Sequence, residues 1–155
     1  MIDRQASALG VCPVATGMVP GVVVDTNCVL DLWLFDDPAT RALRHAIETG
    51  AMRWLAVPAM RDELARVLAY PLLAQQLARR DRTADGVLGA FDRWAHWVVA
   101  PAPAAVACSD SDDQVFVDLA VAWRAVLVSR DREVLALAYR LRAWGVSVVA
   151  RGVMP

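Results

Sequence analysis

Three β-branched residues in a row, Val22-Val23-Val24, run directly into Asp25-Thr26-Asn27. This junction constrains the fold more than any other stretch. Val22 to Val24 reads as a short strand buried on both faces, because branched side chains fill a pleated surface that helices cover. Asp25, Thr26 and Asn27 carry the oxygens that cap a helix start, so the strand feeds a helix beginning near Cys28. In an open α/β sheet the crevice lies outside the carboxyl ends of the strands, which is where Asp25 falls. On spacing alone Asp25 serves equally well as a cap or as part of a site.

The same grammar continues along the chain. A helix over Thr26–Phe35 breaks at Asp36-Asp37-Pro38, and a second carries Leu43, Ala46 and Ile47 to a stop at Gly50. Met52–Val57 is a predicted strand, and Pro58 opens a third helix, Ala59–Tyr70. In that helix Met60, Leu64, Val67 and Leu68 form one apolar stripe. Asp62 lies opposite the stripe, whereas Glu63 lies on its edge, beside Val67. Glu63 can reach into a crevice beside the core or pair with Arg66. Helices follow over Leu72–Arg80 and Ala84–Ala95, with a basic cluster, Arg79-Arg80-Asp81-Arg82, at the turn between them. His96–Val99 is a short strand and Pro101–Pro103 a linker.

A second acidic group follows in Ser109-Asp110-Ser111-Asp112-Asp113-Gln114. Ser111 and Gln114 have capping-box spacing, and Asp112 and Asp113 suit a first helical turn. The helix buries Phe116, Leu119, Ala120 and Trp123 and turns Asp118 away. Asp112 and Asp113 lie on or beside the buried side, where unpaired charge is costly. The strand Ala125–Val128 then ends in Ser129-Arg130-Asp131, a second carboxylate at a strand end. A helix over Arg132–Arg142 and a strand over Val146–Val149 complete the pattern. Strands alternating with helices imply one α/β domain, residues 20–155, with a mostly parallel sheet between helices. Residues 1–19 read as a loosely ordered extension, and Met18 is an alternative start.

Composition narrows the classes. The 155 residues are 57% hydrophobic, which excludes a disordered chain, and no apolar run is long enough to span a bilayer. Cys12, Cys28 and Cys108 are odd in number and lack metal-ligand spacing, which fits reduced thiols in a cytoplasm. Net charge is −1 and all 16 basic residues are arginine. That is not the profile of a protein that coats nucleic acid, although local arginine clusters suit a phosphate-bearing substrate.

Strand ends therefore supply Asp25 and Asp131, and helices supply Glu63 and Asp113. Two carboxylates 4 Å apart repel by roughly 4 kcal/mol at an effective dielectric of 20. A divalent cation relieves that repulsion, and all-oxygen ligands select Mg²⁺ or Mn²⁺. Such a site activates water and neutralises phosphate charge. Neither His45 nor His96 is placed to act as a base.

These four motifs in this order resemble a PIN domain, over about residues 20 to 150. More narrowly, Asp110-Ser111-Asp112-Asp113 resembles the acidic motif of PIN-family toxins of toxin–antitoxin pairs, the VapC-like ribonucleases. The resemblance implies an α/β/α sandwich and an Mg²⁺- or Mn²⁺-dependent endoribonuclease. It makes Asp25, Glu63, Asp113 and Asp131 the metal-binding quartet, with Asn27 and Ser129 in support. Asp110 or Asp112 would be an auxiliary acid, and Arg130 and the Arg79–Arg82 cluster candidate phosphate contacts. The implied partners are RNA, an antitoxin protein and further copies of the chain, in a homodimer or a higher homo-oligomer. Alternatives are a PIN-fold binding module without cleavage and an RNA-processing nuclease that is not a toxin. A haloacid-dehalogenase phosphatase would need a second acid where this chain has Asn27.

Overall fold

The structure is a computed structural model and describes residues 19–151. The expected N-terminal extension, but for Val19, and the alternative start lie outside the described residues. Five strands form one all-parallel sheet in the order β3-β2-β1-β4-β5. They are β1 (Gly21–Val24), β2 (Arg53–Ala56), β3 (Ala95–Trp97), β4 (Val126–Val128) and β5 (Val148–Val149). The helices that flank the sheet are α1 (Thr26–Trp33), α2 (Arg41–Glu48), α3 (Pro58–Leu68), α4 (Pro71–Arg79), α5 (Ala84–Trp94), α6 (Gln114–Trp123), α7 (Arg132–Leu135) and α8 (Ala138–Arg142).

Strand order determines where the crevice falls. From β1 the chain builds outward to β2 and β3, then crosses back and adds β4 on the other side. The sheet therefore switches direction between β1 and β4, the place where such sheets bind ligands. Val24 is in register with Val128, and Asp25 N donates to Val128 O at 3.0 Å. The carboxyl ends of the two strands, with Asp25 and Ser129, thus lie side by side.

The core explains why these elements hold. Val22 and Val23 have no exposed surface, nor does Leu127 on β4. Burying such a side chain contributes about 1.5–3 kcal/mol. Below β2 an aromatic stack extends the core: Trp33 lies parallel to Trp54 at 4.9 Å, and Trp54 meets Phe91 edge-on at 4.7 Å. Gly50 ends α2 with φ +78°, a left-handed conformation that glycine adopts without a Cβ clash.

Three local expectations are corrected. The helix over Arg132–Arg142 is broken into α7 and α8 by a tight turn in which Leu137 N bonds Val134 O. The turn keeps Val134, Leu137 and Leu141 buried together. The capping box at Ser111 does not form. Asp110 caps a short 3₁₀ turn, Ser111–Asp113, by accepting from Asp112 N at 2.9 Å. Gln114 turns back instead: its Oε1 accepts from Cys108 N at 2.6 Å and its Nε2 donates to Val106 O at 3.0 Å. Asp118 joins it by accepting from Ala104 N at 2.8 Å, so it is half-buried rather than solvated. The loop before α6 has no ladder to satisfy its backbone, and these two side chains supply the partners.

Candidate functional site

Each acid is placed by an element end. Asp25 follows β1 and caps α1, its Oδ1 accepting from Cys28 N at 2.9 Å. Its Oδ2 accepts from the hydroxyl of Ser129, the residue that follows β4. Ser129 is fully buried, and its Oγ also accepts from Asp131 N at 3.1 Å. One hydroxyl therefore ties both strand ends together. Asp131 caps α7 through Oδ1, which accepts from Glu133 N at 2.8 Å.

Glu63 sits on α3, half-buried at the edge of the apolar stripe. Its Oε2 accepts from the Thr26 hydroxyl at 2.5 Å, a bond that joins α3 to the start of α1. Thr26 was legible in the sequence only as a capping residue. Its role in aiming Glu63 depends on two segments 37 positions apart.

Carboxylate oxygens of Asp110, Asp113 and Asp131 all lie within 4.8 Å of one another. The strapped loop before α6 and the Ser109 hydroxyl, which donates to Glu133, hold Asp110 against the start of α7. Burial first, then the charges of Asp131, Asp110, Asp25 and Glu63, push the Asp113 carboxyl up to about 7. All five acids thus act on one place. Asp25 and Glu63 border this three-acid cluster without belonging to it. Asp112 is exposed and outside it, so of the two auxiliary candidates the structure brings in Asp110. Asn27 is exposed and bonds none of the described acids.

Two further features surround the cluster. Burial raises the pKa of Asp25, and the bonds from Ser129 and Cys28 oppose that rise. Arg130 grips buried Asp31 on α1 with two nitrogens, Nε to Oδ2 at 2.9 Å and Nη2 to Oδ1 at 3.3 Å. The candidate phosphate contact is therefore partly committed, and Asp31 had no distinguishing signal within an apolar helix sequence. Its partner lies 99 positions away. In the Arg79–Arg82 cluster, Arg82 donates to Trp33 O at 3.0 Å and Arg80 lies 4.9 Å over the Phe35 ring. His45 is exposed on α2, and His96 lies on the edge strand β3, well removed from β4.

The donor set suits a hard cation. The Oδ2 atom of Asp113 is buried and has no hydrogen-bond partner among the described residues. An orphaned carboxylate oxygen among four other acids is costly as it stands and is satisfied by a divalent ion with oxygen ligands.

An all-parallel sheet whose switch point gathers five acids defines a class of α/β proteins with an acidic crevice. Residues 21–133 match the family model of the PIN domain, and the chain belongs to that family. PIN domains are generally nucleases and usually use a divalent metal. A search of curated proteins found no match to this chain. No helix among the described residues is long and apolar enough to cross a membrane.

Proposed function

We propose that this chain is an Mg²⁺- or Mn²⁺-dependent endoribonuclease and the toxin of a toxin–antitoxin pair, acting in the cytoplasm as a homodimer. The observation that carries the catalytic part is the buried, unpartnered Oδ2 of Asp113 within the cluster of Asp110, Asp113 and Asp131. These three acids would hold the cation, with Asp25 and Glu63 at the margin of the cluster. When bound, the cation supplies charge neutralisation at the scissile phosphate and acidifies water for in-line attack.

The remaining residues act by positioning. Ser129 orients Asp25 and the backbone of Asp131 together, so the two strand ends cannot drift apart. Thr26 holds one oxygen of Glu63 and leaves the other to orient water. Arg130, braced by Asp31, offers its uncommitted Nη1 to a substrate phosphate. The toxin assignment is supported by the likeness of the Asp110-Ser111-Asp112-Asp113 run to the toxin subgroup.

The test is cleavage of a mixed RNA pool by purified protein with Mg²⁺, with Mn²⁺ and with EDTA, beside an Asp25→Ala/Asp113→Ala variant. Metal-dependent cleavage that the variant loses supports the enzyme. Full cleavage by Asp113→Asn, or none by folded wild type, counts against it. Co-expression with the protein encoded beside it should suppress both cleavage and growth arrest. Arrest that no neighbouring protein relieves would remove the toxin assignment and leave the nuclease.

A further inference from the structure

A second feature lies at the opposite end of α1 from the acids. Asp25 caps the helix start and Trp33 is its last residue, roughly 12 Å away along the axis at 1.5 Å per residue. There, Trp33, Arg44 of α2, Arg82 and one side of α5 line a cavity of about 550 Å³. That volume is in the range of small-ligand sites.

The wall chemistry is specific. Arg93 lies 4.8 Å over the ring of Trp94, forming a stacked aromatic–guanidinium surface. Arg82 commits one nitrogen to Trp33 O, and neither Arg82 nor Arg93 has a carboxylate partner among the described residues. Arg44 is already paired, to Glu48 at 2.6 Å and Asp36 at 3.7 Å. Against the two unpaired guanidiniums stands one wall carboxylate, Asp81. The indole Nε1 of Trp33 is buried without an acceptor among the described residues.

Gly89 adds an independent observation. It lies in the middle of α5, where glycine costs about 1 kcal/mol relative to alanine. A Cβ placed there would meet nothing within 4 Å. Gly89 is exposed at the cavity wall, so a larger side chain can be placed there without a clash.

We propose that this cavity takes an unstacked nucleotide of single-stranded RNA, its base against the Trp94–Arg93 surface and its phosphate toward Arg82. Aromatic rings and arginine planes hold splayed bases, and guanidinium groups hold phosphates. An acidic peptide would use the arginines but not the stacking surface. The proposal rests on RNA being the substrate and makes the cavity an anchor separate from the cleavage site.

The experiment is a titration of the full chain with a short single-stranded oligoribonucleotide in EDTA, read by tryptophan fluorescence and by anisotropy of a labelled strand. Wild type, Gly89→Leu, Arg93→Glu and Asp113→Asn are compared. Gly89→Leu adds bulk at the cavity wall with a better helix former, and circular dichroism verifies that it folds. The expected result is binding weakened about tenfold or more in Gly89→Leu and Arg93→Glu, the loss of roughly one base stack, and not weakened in Asp113→Asn. Equal binding by wild type and Gly89→Leu overturns the proposal. So does tighter binding of a free mononucleotide than of the strand, or displacement of the strand by oligoglutamate but not by a second RNA. Because the titration excludes metal, a strand bound at the cavity with no cleavage under any condition would sink the nuclease and spare the anchor.

Discussion

The two strand–helix junctions look alike but are used differently. At β1–α1 and at β4–α7, an aspartate ends a buried strand and caps the helix that follows. At the first junction both carboxylate oxygens are engaged, one by Cys28 N and one by Ser129, and Asp25 is 3% exposed. At the second, among the described residues only Oδ1 of half-buried Asp131 is engaged, and the carboxylate lies close to those of Asp110 and Asp113. The first is a brace built into the core. The second offers lone pairs. The same local sequence thus yields a fully engaged carboxylate or one with a free oxygen according to what the neighbouring strand brings beside it.

That contrast can be broken by mutation. The largest effect is expected from Asp131→Asn. Asparagine caps helices well, so thermal stability should remain near wild type. Metal-dependent cleavage should nonetheless fall about a thousandfold or more, equivalent to roughly 4 kcal/mol of barrier. If cleavage survives, the β4 junction is not a ligand.

At the β1 junction the same kind of change should reach the fold. Asp25→Ala removes the cap and leaves the Ser129 hydroxyl buried without its acceptor. Chemical denaturation should show a loss of about 2–4 kcal/mol, combining a cap with a buried unsatisfied group. Ser129→Ala, which orphans Asp25 Oδ2, should cost about 1–3 kcal/mol. Stability unchanged in both variants would dissolve the distinction between brace and ligand.

The smallest effect concerns pH. Asp113 binds its proton more firmly in the folded chain, about 7 against the ordinary 3.8. Unfolding above pH 4 therefore releases that proton, and the metal-free protein should lose stability as pH rises from about 4 to 7. Asp113→Asn should be the more stable protein at pH 8, by about 1 kcal/mol or a few degrees after allowance for solvent screening. The gap should vanish below pH 4, and added Mg²⁺ or Mn²⁺ should narrow it from the wild-type side. A variant less stable than wild type at pH 8 would mean that Asp113 is held by partners rather than repelled.

Much of this was legible in order and type. The valine run at β1, the alternation of strands and helices, Gly50 as a stop and the acids at strand and helix ends all follow from short-range patterns. Glu63 could be separated from Asp62 because helical periodicity alone puts it beside the stripe. Asp110 and Asp112 could not be separated, since either fits the auxiliary acid that the resemblance implies. The choice came from the loop that Gln114 and Asp118 strap onto α6, and neither residue signals that use locally. Thr26, Asp31 and the Arg93–Trp94 surface were silent for the same reason: their partners or the space they line come from distant segments.

By itself, then, the sequence determined the βα repeat, the buried strands and the chemical class of the candidate site. Backbone propensity, capping and hydrophobic periodicity act over a few residues and are written locally. Only the tertiary structure decided that β4 returns beside β1, that Ser129 joins both junctions, and that Asp110, Asp113 and Asp131 converge while both oxygens of Asp25 are taken up by Cys28 N and Ser129. Those outcomes depend on strand order and on burial, and both arise only when segments about a hundred residues apart pack into one core.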